Sequence, residues 1–383
     1  MASYLSSLLG RSSKPTLDVP GKWQLQEFAG YNVILIAGKD DKIRAFVNAC
    51  RHRAFPVLHP KVDADGNKTS IGKSQIIACG YHGWAYNPNG ALVKAPQFDK
   101  LEGFDKAEHG LLELPVHRSE HGFIFFSLNP NPGPWKEQFG DLDEQQRLKD
   151  FRFDQYKYEL SWSMEHMPYN WKVLVDNYSE CHHCSYTHPG FVDTCHLNTY
   201  RVVGDKGTMG HYVDAKDKAL APGQDKENAF AFNLMMPHGS MTLSSQLFYV
   251  MRILPQSART CSIHFDVFRH EDCTDEQFKE AFDFFQQVET EDKDLCAGTQ
   301  KGLEMGTYTS GTLHPERESG VIYWQKRHIE LLQQHFKEEQ VAGHEINLAA
   351  RPYKGSSTDA DQFLSELEGC AGSCGSGGKE NEW

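Results

Sequence analysis

No stretch of this chain approaches about 18 consecutive uncharged apolar residues, which excludes a membrane-spanning helix of ordinary length. Positive charge is also scarce: 39 Lys and Arg stand against 52 Asp and Glu, a formal net charge of −13, so the basic footprint of a nucleic-acid binder is missing. The start at Met1 has no charged segment leading into a long apolar run, so no secretory signal is read. A cytoplasmic location is expected, with a mitochondrial alternative because the Ser-rich opening carries Arg11 and Lys14 and no acid before Asp18. Neither a Gly-rich dinucleotide turn after a strand nor a P-loop occurs, so any oxidation of NADH belongs to another protein. No repeat of solenoid length appears.

What is present is a chain of 383 residues, 39% hydrophobic, long enough for two or three domains. Ten cysteines in a chain of this size fit a reducing compartment better than a disulfide framework. Of these, Cys261, Cys273 and Cys296 lie in or beside apolar segments and read as packing residues. Residues 32–36 and 43–47 flank a polar turn and predict a hairpin, while Gln75–Ala78 and His121–Leu128 predict further strands. The Pro-rich stretch 129–134 reads as a linker. Beyond it, residues 170–184 predict a helix, and residues 245–254 and 260–269 predict strands. Thr274 and Gln277 form a capping box that opens a second helix, whose face carries Phe278, Phe282 and Phe285. A third helix is expected over residues 318–336. The expected units are 15–130, 135–355 and a flexible tail at 356–383, in an α+β fold.

Two strand-delivered loops each offer one thiolate and one imidazole: Cys50 with His52, and Cys79 with His82. That set suits a Rieske 2Fe-2S centre, in which two Cys hold one iron and two His the other. Tetrahedral zinc is the competing reading. Zinc sites, however, usually pair like with like, whereas each loop here mixes the types.

Downstream, Asp176, Asn177, Glu180, Cys181, His182, His183, Cys184 and His188 crowd into one short segment. If it is helical through residue 183, Asp176, Glu180 and His183 share a face, and His182 points about 100° from His183. His183 and His188 offer two imidazoles, and a facial triad with open positions on Fe(II) needs one carboxylate more. The candidates are Glu289, Glu291, Asp292 and Asp294. On the helix starting near Thr274, Asp292 falls within about 40° of the Phe stripe, whereas Glu291 and Asp294 point to the other side. Glu289 shares the apolar face, so geometry alone leaves it beside Asp292 as a rival. Cys181 and Cys184 are read as thiols neighbouring the site and not as ligands.

The runs Cys50-Arg51-His52-Arg53 and Cys79-Gly80-Tyr81-His82-Gly83-Trp84 resemble the cluster loops of Rieske non-haem iron oxygenases. Asn170-Trp171-Lys172, followed by Asp176-x3-Glu180-x2-His183-x4-His188-Pro189, is similar to that family's mononuclear iron motif. Glu291-Asp292-x2-Leu295-Cys296-x3-Gln300-x-Gly302-Leu303 resembles the third-ligand segment of the choline monooxygenase branch, which implies Asp292 as third ligand. The resemblance implies a small all-β Rieske domain followed by an α+β helix-grip catalytic domain. It also implies a homotrimer in which Glu180 bridges a cluster His of one subunit to an iron-ligand His of the next. Asp176 would support the iron ligands by hydrogen bonding, and Asn177 would lie near the iron. The activity implied is that of a terminal oxygenase, monooxygenase rather than dioxygenase. It would use dioxygen, and electrons from NAD(P)H through a separate flavin-containing reductase or ferredoxin. The substrate would be a small organic molecule, hydroxylated or oxidatively demethylated, with a quaternary ammonium compound the leading candidate.

The chain departs from this pattern in places. It puts 26 residues between His52 and Cys79, more than most relatives, with a polar turn at Asp65-Gly66-Asn67 that reads as surface loop. It starts close to the cluster loops, and Ala297 stands where choline monooxygenases have an acid. Phe230, Phe232, Met235, Met236, Phe248 and Tyr249 fit either an apolar pocket or ordinary core. An electron carrier holding only the cluster would leave His183, His188 and Asp292 without a purpose. A hydrolase using Cys181 or Cys184 would need an activated thiol and an oxyanion site.

Overall fold

The computed structural model describes residues 17, 19–28, 30–62, 68–220, 225–226, 229–347 and 349–350. The readings made for the N-terminal segment before residue 17, the turn at Asp65–Asn67 and the tail from residue 356 lie outside the described residues.

The N-terminal part is built on an antiparallel sheet of β1 (Lys22–Phe28), β2 (Tyr31–Ala37), β3 (Ile43–Val47), β4 (Ile71–Lys73) and a strand at Glu113–Leu114, in the order Glu113–Leu114, β3, β2, β1, β4. The expected hairpin is β2 and β3, in a register that sets Ile34 against Phe46. Because β2 is central, both its faces are covered, and residues 33–37 are all buried. That is why its sequence is a continuous apolar run instead of an alternating one. A second small sheet joins β5 (Ile77–Ala78), β6 (Ala85–Tyr86) and β7 (Leu92–Lys94). Trp23, Ile34, Phe46, Trp84 and Tyr86 fill the shared core together with Cys50 and Cys79.

Past the irregular 129–134 stretch, seven antiparallel strands form the larger sheet. In chain order they are β8 (Tyr156–Met167), β9 (Cys195–Asp205), β10 (Thr208–Ala215), β11 (Ala231–Met235), β12 (Gly239–Leu243), β13 (Leu247–Pro255) and β14 (Cys261–His270), arranged β8-β14-β13-β12-β11-β10-β9. Side chains alternate across it as strand geometry requires. Leu247, Tyr249, Met251 and Ile253 enter one core with Ile263, Phe265 and Val267. Phe248 and Val250 enter the core on the other face with Phe123, Phe125 and Phe153.

Three helices contribute to the first of these cores: α1 (Trp171–Tyr178), α2 (Asp275–Glu304) and α3 (Ser319–Ala342). The capping box of α2 is formed, since Thr274 accepts from Gln277 N–H and the Gln277 side chain accepts from Thr274 N–H. Phe278 and Phe285 are buried, Phe282 packs beside them, and Cys261, Cys273 and Cys296 are core residues as expected. Gln300 of α2 accepts from the Asn170 N–H at 2.9 Å and ties the start of α1 to α2.

The helix expected over residues 170–184 is shorter. Asn170 caps it by accepting from Lys172 N–H at 2.9 Å, and it ends at Tyr178. The Glu180 carboxylate accepts from the N–H groups of His182 and His183, and these donors are therefore not spent on continuing the helix. A separate single turn, Cys184–Thr187, then leads to a short helix at Pro189–Thr194, with His188 between them.

Candidate metal centres

The cluster loops are two turns of the same construction. Cys50 N–H donates to Phe55 O and Ala54 N–H returns to Cys50 O, each at 2.8 Å. In the second, Cys79 N–H donates to Trp84 O at 2.7 Å and Gly83 N–H returns to Cys79 O at 3.1 Å. Each turn needs positive φ at its fifth residue, +73° for Gly83, where glycine is unstrained, and +56° for Ala54. Cys50 and Cys79 are both 3% exposed, whereas the His82 ring lies open and His52 is half-buried. The two imidazoles sit 4.6 Å apart between ring centroids, and His52 stacks on Trp84 at 5.1 Å.

His52 Nδ1 is buried and has no hydrogen-bond partner, as a nitrogen waiting for a metal would be. The Tyr86 hydroxyl lies 3.2 Å from Cys50 Sγ and accepts from Arg51 N–H at 3.0 Å. Either group can donate in the contact with sulfur, and a thiolate at Cys50 would accept the hydroxyl proton. Burial pushes the Cys50 thiol up, and a bound cation would reverse that. Two converging thiols, two imidazoles and an orphaned ring nitrogen fit a Rieske cluster.

In the second centre, His183 and His188 are held alike although they come from different turns. His183 Nδ1 meets Glu180 Oε1, and His188 Nδ1 lies 2.7 Å from Glu291 Oε2. Each carboxylate fixes a ring with its Nε2 turned inward, and both Nε2 atoms face Asp292 Oδ1, at 3.3 Å from His183 and 3.1 Å from His188. Two imidazole nitrogens around one carboxylate oxygen, each backed by a carboxylate on its far nitrogen, fit the donor set that a mononuclear iron would need.

The electrostatics suit a cation held between these groups. Burial would lower His183, but hydrogen bonds to Asp292 and Glu180 raise it to about 9. Burial would raise Asp292, but the two imidazoles bring it below the ordinary carboxylate range. Cys184 Sγ also lies close enough to the two imidazoles to be a donor. It is joined to Cys181 in a disulfide, so it offers no thiolate. This corrects the reading of Cys181 and Cys184 as thiols and leaves the hydrolase without a nucleophile there.

Other expectations change as well. Glu291 does not turn away from the site: His188 packs beside α2 and receives Glu291 on one nitrogen and Asp292 on the other. The only signal in the sequence was two consecutive acids. Asp176 accepts from Gln325 Nε2 of α3 at 2.9 Å, and no hydrogen bond joins it to His183 or His188 among the described residues. Burial pushes Asp176 up to about 6. Asn177 Oδ1 is buried without a partner. Glu289 is 4% exposed, one turn before Asp292, and accepts from the Tyr249 hydroxyl at 3.0 Å. Burial, and then Asp292, pushes its carboxyl up to about 8.

The His183 imidazole stands between two spaces. An inner cavity is lined by rings, among them Tyr178, Phe191, Phe232, Tyr249 and Phe285, together with Glu289 and Asp292. An outer groove is lined by Asp176, Asn177, Leu303, Tyr308 and Gln325. Glu180 and His183 border both. Of the residues first considered for a pocket, Phe232 and Tyr249 line the cavity, while Met235, Met236 and Phe248 are core.

Comparison with known proteins finds a Rieske [2Fe-2S] domain at residues 13–105 and the catalytic domain of ring-hydroxylating alpha subunits at residues 153–334. The chain is 28% identical over 342 residues to the carnitine monooxygenase oxygenase subunit of Acinetobacter pittii (strain PHEA-2), covering 84% of this chain and 86% of that one. It is also 28% identical to the chloroplastic choline monooxygenase of Beta vulgaris, covering 76% and 65%. Among solved structures, a quaternary ammonium Rieske monooxygenase superposes with a TM-score of 0.72 at 26% identity, over 84% of this chain and 87% of the other. Naphthalene 1,2-dioxygenase from Rhodococcus sp., at 16% identity and a TM-score of 0.68, shares the fold.

Proposed function

This chain belongs to the Rieske non-haem iron oxygenases, and from that premise we propose that it is a terminal oxygenase acting on a small quaternary ammonium compound by hydroxylation or oxidative demethylation. The observation that carries the reading is the pair of imidazole nitrogens converging on Asp292 Oδ1 at 3.1 and 3.3 Å beside a ring-lined cavity. Cys50, His52, Cys79 and His82 would hold the cluster, and His183, His188 and Asp292 the mononuclear iron. When bound, these groups relay single electrons and activate dioxygen.

The chain's own residues do the rest. Glu180 and Glu291 fix the ring orientation of His183 and His188. The inner cavity is lined largely by aromatic rings, a lining suited to a cation. Glu180, bordering the outer groove, is the proposed link from His183 to a cluster imidazole of a neighbouring subunit in a homotrimer. His82, the more open cluster imidazole, is suited to that contact. Asp176 and Asn177 line the same groove. We assign the boundary between the two domains to residues 129–134, and a flavin-containing reductase as electron donor.

The reaction balances with one oxygen atom entering a C–H bond, the other leaving as water, and two electrons and two protons consumed. The test supplies a reductase, NADH and a panel of choline, carnitine and glycine betaine, measuring substrate-dependent oxygen uptake and formaldehyde. Uptake coupled to one of these supports the reading, and formaldehyde separates demethylation from hydroxylation. Oxygen uptake driven only by neutral aromatic compounds would contradict the substrate class.

A further inference from the structure

Two polar side chains of the inner cavity have no part in holding iron. His211, on β10, is 4% exposed and borders the cavity. Its Nδ1 lies 2.6 Å from the Tyr200 hydroxyl, and its Nε2 is buried with no partner. Among the described residues Tyr200 has no other hydrogen-bond partner, and with its proton given to Nδ1 the ring is the acceptor there. A neutral imidazole carries a single N–H, which then sits on Nε2 as a donor without an acceptor. Neutrality follows from burial beside Arg147, which pushes His211 down to about 3.

Glu289 enters the same cavity from α2. Its Oε1 accepts from Tyr249, and among the described residues no hydrogen bond reaches its Oε2. No Lys or Arg lines the cavity among the described residues. An onium group brought against this carboxyl favours its carboxylate form. The residues around the cavity therefore include a donor lacking an acceptor, on His211, and an acidic oxygen lacking a partner, on Glu289, among aromatic rings.

We propose that Glu289 and His211 read two different groups of one compact substrate, Glu289 facing its positively charged nitrogen and His211 Nε2–H donating to its oxygen. The inference rests on the reading that this cavity holds the substrate. The site then selects molecules bearing both groups, because a buried polar group left unpaired penalises any analogue that lacks its counterpart.

Titration calorimetry on full-length, iron-loaded protein without oxygen provides the test. The probes are glycine betaine and carnitine, which carry both groups, tetramethylammonium, which has no oxygen, and 3,3-dimethylbutanoate, the uncharged-carbon isostere of glycine betaine. At least one two-group probe should bind about tenfold or more tighter than either single-group probe. Glu289→Gln should abolish discrimination against dimethylbutanoate alone, and His211→Phe should abolish discrimination against tetramethylammonium alone. Iron content should stay unchanged in both. His211→Gln, which restores a side-chain N–H, should recover part of the second preference and covers the case in which the Phe variant does not fold. Binding without discrimination, or variants that lose all probes equally, overturns the inference while leaving the oxygenase reading intact. Failure of every probe to bind the wild-type protein overturns both.

Discussion

At the scale of residues, the second centre depends on carboxylates that would not themselves touch iron. Glu291 fixes His188 through Nδ1, so Glu291→Gln should weaken iron retention by about tenfold to a hundredfold, as loss of such an orienting partner commonly does. The rate of iron transfer to a chelator measures this, and an unchanged rate would remove Glu291 from the site. His183 carries a pH signature. Its folded value, about 9, lies above the unfolded value near 6.5. The stability it contributes to iron-free protein is complete below about pH 6.5 and is lost as pH rises through about 9. Urea unfolding of the iron-free protein should therefore show a falling midpoint between these limits. Iron-loaded protein should not show this loss, because the metal takes the proton's place. Glu291 was hidden in the sequence because helical angles measured from the Phe stripe describe what faces the core. They do not describe what faces an imidazole packed beside the helix.

Among elements, α2 was the most legible, since its capping box and Phe stripe are local signals and both are formed. Thr274→Ala should reduce stability by about 1 kcal/mol, read from the urea midpoint. The segment carrying Glu180 and His183 was harder to read. Its polar side chains compete with the backbone, Glu180 taking two N–H groups, so helical spacing put Glu180 beside His183 by the wrong construction. A three-residue turn makes the same contact. The Cys181–Cys184 disulfide closes that turn, a pairing that cysteine counting in a large chain argued against. Reduction should loosen the His183 turn and speed iron loss to a chelator severalfold. Cys181→Ser should lose iron at that faster rate whether or not reductant is present.

Across the whole molecule, the β2–β3 hairpin and the strand-borne cluster loops could be read because each is set within a few dozen residues. The cavity could not, because it is assembled from α1, β9, β10, β11, β13, α2 and the turns around His183, which lie far apart in the chain. A homotrimer with electrons crossing between subunits makes a further prediction. Mixing a cluster-deficient variant, Cys79→Ser, with the iron-deficient Asp292→Ala should restore turnover that neither shows alone, and continued inactivity of confirmed mixed trimers would contradict that route. The most direct test of the central claim is the iron and acid-labile sulfide content of anaerobically prepared protein, with electron paramagnetic resonance of the reduced cluster. Wild-type chains should hold about three irons and two sulfides, and Asp292→Ala about two of each with the cluster spectrum intact. Equal iron in the two proteins would contradict the assignment of His183, His188 and Asp292 as the mononuclear site.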